Sequence, residues 1–178
     1  MADFEIIEEG TLSLNSNTID FVSIPQTYSH LEIQFSARSG KAGNTTNGGE
    51  IRVNGDSGSN YGVQLGYVNT NTPNVASLNM GTRTQVDSAT RIQDVGAQPG
   101  VHAVNKILIP NYTSTTVATK GLLCEATAGG PTSAWVWWVS FGIGYWSSTA
   151  AINQVTLYSE SVTYPFLAGC SYWLGGWA

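Results

Sequence analysis

Hydrophobic and polar positions alternate along much of this chain. From Leu31 to Ala37, Leu31, Ile33, Phe35 and Ala37 point one way, while Glu32, Gln34, Ser36 and Arg38 point the other. A period of two predicts a strand with one wet face. Glu50 to Val53 repeats the pattern with Ile51 and Val53 inside, and Val63, Leu65 and Tyr67 continue it. Lys106 to Ile109 ends at Pro110, which cannot donate to a ladder and suits a strand end. Thr116 to Thr127 and Ala151 to Tyr158 are further strands, the latter with Val155 and Leu157 opposite Gln154 and Thr156. No segment carries an apolar stripe of helical period and length. Loops are predicted at Ser39 to Gly49, Asn69 to Asn74 and Ala128 to Ser133, which are crowded with Gly, Asn, Thr and Pro. About eight to ten strands with short connections predict an all-β fold, an antiparallel, jelly-roll-like β-sandwich. It forms a single domain over residues 1–178, with 1–9 as a first strand or an N-terminal arm.

Ala134 to Trp146 (AWVWWVSFGIGYW) departs from this pattern. Trp135, Trp137, Val139, Phe141, Ile143 and Tyr145 form one continuous apolar face, and the other mixes Trp138 and Trp146 with Ser140, Gly142 and Gly144. A strand buried on one side accounts for the first face, which makes Trp135 and Trp137 core residues. The second face then needs another layer, a subunit or a ligand.

Composition narrows the function classes. The chain has 20 Gly, 18 Ser, 19 Thr and 13 Asn, with only 11% charged residues, which excludes a helix bundle or coiled coil. Six Trp, eight Tyr and five Phe exclude a disordered chain. Seven Lys and Arg face twelve Asp and Glu, so no nucleic-acid partner is expected. No apolar run approaches the ~20 residues that cross a bilayer, so no membrane partner is expected. The opening MADFEIIEEG lacks the pattern of a signal peptide. Cys124 and Cys170, far apart and outside any CxxC, read as two buried free thiols.

Catalytic constellations are thin. His30 sits in phase with Glu32, and His102 follows the Gln98-Pro99-Gly100 turn. Neither is paired in sequence with a GxSxG-type nucleophile. The acidic residues are scattered singly except Glu8-Glu9, which disfavours a carboxylate pair across a sugar. Asp56, Ser59 and Asn60 could offer oxygens to Ca²⁺, but one carboxylate is too few, so Gly55 and Gly58 are read as parts of a tight turn. No enzyme, metal or cofactor is expected.

Five ordered stretches carry a family resemblance. They are Phe21 to Ser39 (FVSIPQTYSHLEIQFSARS), Asn54 to Tyr61 (NGDSGSNY), Ile109 to Tyr112 (IPNY, with Lys120 downstream), Trp146 to Leu157 (WSSTAAINQVTL) and Phe166 to Gly175 (FLAGCSYWLG). From about Thr11 to Gly175 the chain resembles a family of small virion proteins of tailed phages, especially marine and cyanobacterial ones. Its members carry SIPQxYxHL, NGDxGxNY, IPNY and a closing LYG-like motif. The resemblance implies a β-sandwich displayed on the particle as a capsid decoration or cement protein. Similar sequences also end tail-fibre proteins, which keeps a receptor-binding or carbohydrate-binding module as the alternative. The chain departs from the pattern at Trp173-Leu174-Gly175, in its Gly176-Trp177-Ala178 extension and in its Trp-rich strand.

The expected partners are further copies of the chain, as a homotrimer, and the major capsid protein or tail proteins. A host-surface glycan is the partner in the alternative. The expected location is the virion. Trp, Tyr and Arg anchor protein interfaces, so Trp138, Trp146, Trp173 and Trp177 are the interface candidates, joined by Phe4 and Ile6 near the N-terminus.

Overall fold

The computed structural model describes residues 3–42, 46–70, 72–130, 136–160 and 163–178, with the side chains of 72–80 and Val136 outside the description. Trp135 and parts of the predicted loops at 39–49, 69–74 and 128–133 therefore lie outside the described residues. Twelve strands and no helix fall among those described. They are β1 (Phe4–Thr11), β2 (Thr18–Phe21), β3 (His30–Ser39), β4 (Thr46–Val53), β5 (Tyr61–Asn69), β6 (Thr72–Arg83), β7 (Val86–Asp94), β8 (Ala103–Pro110), β9 (Lys120–Gly130), β10 (Val136–Trp146), β11 (Val155–Ser159) and β12 (Ser171–Trp177).

The fold is an all-β sandwich. A wide layer has the order β6-β5-β10-β9-β8-β3-β12-β1, and a narrow one has β2-β11-β4-β7. Pairing is antiparallel except where the end of β3 runs beside β7, Arg38 with Gln93 and Ser39 with Asp94, and so joins the layers. Eight described strands lie against four. The N-terminal segment is a first strand: β1 pairs with β12 along its length.

The period-two strands bury the predicted faces. Leu31, Ile33, Phe35 and Ala37 of β3 meet Ile51 and Val53 of β4, Ile107 and Ile109 of β8, and Val155 and Leu157 of β11 in one core. Two boundaries move inward, since β9 begins at Lys120 rather than Thr116 and β11 at Val155 rather than Ala151. The supposed wet face of β3 is not all wet. Arg38 is buried, and its guanidinium donates to the carbonyls of Gln98 and Val101 (both 2.9 Å), Ala97 (3.0 Å) and Val95 (3.4 Å). A buried charge is tolerated when hydrogen bonds replace its water.

Periodicity missed β6 and β7. The β7 sequence VDSATRIQD reads as polar, yet Thr90 to Asp94 are all buried. Side-chain bonds satisfy part of this polar surface. Gln93 Oε1 accepts from Gly129 N (2.7 Å), Asp94 Oδ1 from Ser39 Oγ (2.7 Å), and Asn105 brackets the Arg91 backbone at 2.6 and 2.7 Å.

The stretches that carry the resemblance meet one another. Tyr112 Oη donates to the carbonyl of Pro25, and Gln26 Nε2 to the carbonyls of Ile24 and Ile152, both at 2.9 Å. Asn54, at φ 51° before Gly55 at φ 66°, donates to the Ala151 carbonyl (2.7 Å). Its Oδ1 accepts from the amides of Asn153 (2.9 Å) and Gln154 (3.1 Å). These motifs hold loops to strands, so their work is in the scaffold.

Candidate functional site

β10 is turned the opposite way to the sequence reading. Trp137, Val139, Phe141, Ile143 and Tyr145 face outward, 50, 53, 55, 57 and 38% exposed. Ser140, Gly142, Gly144 and Trp146 face inward and are buried. The glycines explain the inversion. A Cβ on Gly144 would lie 2.4 Å from Val86 of β7, and one on Gly142 would lie 2.8 Å from Leu65 Cβ and 2.9 Å from the Gln64 carbonyl oxygen. Neighbouring elements approach so closely that only small side chains fit beneath, and glycine in a strand marks such approaches. Between Val139 and Tyr145 the larger residues therefore face out. Trp137 is accordingly a surface residue, not a core one.

The two strands beside β10 shape this face. Phe141 pairs with Gly66 of β5 and Tyr145 with Gly62. A Cβ at Gly66 would lie 2.8 Å from the Phe141 ring, and one at Gly62 would lie 2.3 Å from the Tyr145 ring. Both rings therefore lie down over glycine backbone instead of standing off the sheet. Val139 pairs with Val68, which is 36% exposed, and Ile143 with Leu123 of β9, which is 43% exposed. The result is a low apolar surface along β10 that extends onto both neighbours.

Towards β1 the same face turns polar. Gln34 pairs with Lys106 on one side and Trp173 on the other, and Trp173 in turn pairs with Glu9. Glu32 sits at its centre and accepts from Gln34 Nε2 (2.9 Å), Lys106 Nζ (3.2 Å) and Trp177 Nε1 (3.3 Å). Burial would raise its carboxyl, but these three donors outweigh burial and hold it below the ordinary range. A groove of about 540 Å³ lies here, with Glu9, Gln34, Ser36, Ser171, Tyr172 and Trp173 among its walls.

The structure gathers four of the six candidates at this edge. The Phe4 ring is 5.5 Å from that of Trp173 and 4.9 Å from that of Trp177, and Ile6 pairs with Gly175 alongside. Phe4 and Ile6 are exposed, and both Trp are half-buried. The other two candidates point inward. Trp138 packs on Tyr67 at 4.9 Å, under the buried Arg91 guanidinium at 4.6 Å. Trp146 is 2% exposed, beneath Lys120 Nζ at 5.6 Å. A buried indole cannot meet a partner, so the expectation for Trp146 is corrected.

No family model matches the chain, and no curated protein matches it. A solved structure with some likeness is the CBM40 of a Ruminococcus gnavus IT-sialidase bound to alpha2,3 sialyllactose. It is 10% identical, with a TM-score of 0.29 over 97% of this chain and 92% of that one. A likeness this distant carries no argument.

The remaining chemistry is structural. Trp146 Nε1 donates to Asp56 Oδ2 (2.7 Å), which also accepts from Asn60 Nδ2 (2.9 Å), while Oδ1 accepts from Gly58 N (2.8 Å). These donors hold the Asp56 carboxyl below its usual range. Both oxygens already take N–H groups, so the loop is a clasp on Trp146. Among the described residues no three His, Cys, Asp or Glu are grouped to hold a metal. Both cysteines are free and buried, and burial pushes the Cys124 thiol up to about 12. Sequence reasoning missed the outward row on β10. Its signals were the small residues at 140, 142 and 144 and the glycines at 62 and 66.

Proposed function

We propose that this chain is a non-enzymatic structural protein of a tailed-phage virion, a decoration protein that binds capsomers and whose wide sheet presents its outer face to other virion subunits, further copies of the chain among them. The observation that supports this reading most is the exposed row from Trp137 to Tyr145 on a stiff sheet. Soluble monomers rarely leave an apolar patch of that extent uncovered, and such patches mark protein contacts. The five stretches resembling phage virion proteins support it from the sequence side. A rigid sheet presents the patch without an entropic cost of ordering, which favours a binding role.

Counting copies per purified particle against the major capsid protein, by quantitative mass spectrometry, tests the reading. On the order of hundreds of copies is the expected result for a protein distributed over an icosahedral shell. Absence from the particle refutes it.

The groove at β1, β12, β3 and β8 favours a second reading, glycan recognition from a tail fibre or tail tip. Its volume of about 540 Å³ suits a small ligand. Trp173 offers an apolar ring beside the hydroxyls of Ser36 and Ser171, which hydrogen-bond each other at 2.8 Å. About a dozen copies per particle would move this reading to first place. Binding on a glycan array that is lost in Trp173→Ala would then support it.

A further inference from the structure

We propose that the outer face of β10 is where two copies of this chain join, packed sheet on sheet about a twofold axis. This rests on the assembly role proposed above and names one partner for that face.

Area supports a second copy. A fully exposed aromatic side chain offers about 150–250 Å². The half-exposed row on β10, with Leu123 and Val68, therefore presents roughly 600 Å² per copy. A pair would remove on the order of 1,200 Å² from water, the lower bound of specific stable interfaces. The row runs about 27 Å along one strand, long enough for two sheets to stack at about 10 Å.

The order of residues supports twofold symmetry. Along the row aromatic and aliphatic side chains alternate: Trp137, Val139, Phe141, Ile143, Tyr145. Two such rows running in opposite directions can be placed so that Phe141 meets Ile143 of the other copy and Ile143 meets Phe141. In that register Val139 meets Tyr145, and Tyr145 meets Val139. Phe141 and Tyr145 then each face a branched aliphatic, with Trp137 falling past the end of the partner's row opposite Ser147, so the centre of the patch is complementary to itself, which an isologous contact requires. Because Phe141 and Tyr145 lie over Gly66 and Gly62, the surface is low enough for another sheet to settle on it. The outward side chains of β10 carry no charge, and the one carboxylate directly beside the row among the described residues, Glu125 across from Phe141, is paired in register with Lys106 of β8. The pair is a dimer, in place of the trimer expected from the sequence.

Sedimentation equilibrium of the purified full chain tests this. The wild type is expected near twice the 18.9 kDa chain mass at micromolar concentration. Phe141→Ser with Ile143→Thr is expected to weaken association on the order of a hundredfold, since central aromatic anchors dominate interface energy. These side chains point outward, so the variant's thermal melt, taken at low concentration, checks that it folds. Trp173→Ala, on the other half of the face, is expected to stay dimeric. A wild type that is monomeric at 100 µM, on the scale of weak association, would overturn the proposal, as would a dimer that the double variant leaves intact. Monomeric protein that is abundant on virions would sink the pairing and leave the virion role standing. Dimeric protein absent from virions would do the reverse.

Discussion

Glu50 makes the stability of this fold depend on pH in an unusual direction. It lies on β4, directly across from Asp87 of β7. Burial first, and then the Asp87 charge, push its carboxyl up to about 7 from an ordinary 4.5, against the pull of Gln85 and Arg52. Between those values the folded chain keeps a proton that the unfolded chain has released. Stability must therefore fall as pH rises from about 4.5 through 7. At full strength the displacement would be worth about 3 kcal/mol. Glu50 is only half-buried, and water reaching the pair reduces this to about 1–2 kcal/mol. Asp94 adds to the trend. Burial raises it to about 6, and its Oδ2 has no hydrogen-bond partner among the described residues. Glu32 and Asp56, both held low, act oppositely and lose their contribution only as pH drops through their folded values. The expected profile has its maximum on the weakly acidic side. Glu50→Gln keeps the shape and removes the charge. At pH 8 it should raise Tm by about 2–8 °C for a domain of this size, with no gain at pH 4.5 and a shallower decline between. Thermal melts by circular dichroism from pH 4.5 to 8.5 read all three. A variant that melts below wild type at pH 8, or that keeps the full slope, refutes the reasoning.

Three further outcomes follow from packing and hydrogen bonding. Trp146→Phe removes the donor to Asp56 and should cost about 1–2 kcal/mol, read as a lower urea midpoint with unchanged slope. Gly62→Ala puts a methyl group into the Tyr145 ring; lifting the ring should cost about 1 kcal/mol and raise Tyr145 exposure, measurable by a lower Tm and by tyrosine nitration. Cys124 and Cys170 should both resist a thiol-reactive dye in the native protein and react in guanidinium, because burial raises both thiols; labelling of the native chain would contradict their burial.

The strands legible in the sequence are those where one face is fully apolar and the other polar. β3, β4, β8 and β11 bury the residues that alternation selects, with Glu32, Arg38 and Thr156 buried on the polar side as well. β7 was illegible for the opposite reason. It is covered on both faces, and its buried Gln93 and Asp94 find partners distant in sequence, Gly129 for Gln93 Oε1 and Ser39 for Asp94 Oδ1. Alternation cannot report partners of that kind. In β10 the period was right and the facing was wrong. A rule that turns the more apolar face inward fails where Val86 and Leu65 fill the interior from other strands and leave room only for glycine and serine. Size, not hydrophobicity, sets the orientation there. The candidate site was legible at one edge, where Phe4, Ile6, Trp173 and Trp177 do come together, and illegible on β10 and at Trp146.

This division bears on what a resemblance can convey. The stretches at 21–39, 54–61, 109–112 and 146–157 interlock through Pro25 with Tyr112, Gln26 with Ile152, Asn54 with Ala151, and Asp56 with Trp146. Residues bound to one another in this way are constrained by the scaffold. Sequences that share them share a frame. Trp137, Val139, Phe141, Ile143 and Tyr145 lie between two of these stretches and point away from the core, with the Phe141 and Tyr145 rings resting on Gly66 and Gly62. Their identities can change without disturbing the clasps, provided Gly142 and Gly144 stay small. The frame is therefore the part of this chain that others can hold in common. The β10 face is where chains built on the same frame can differ.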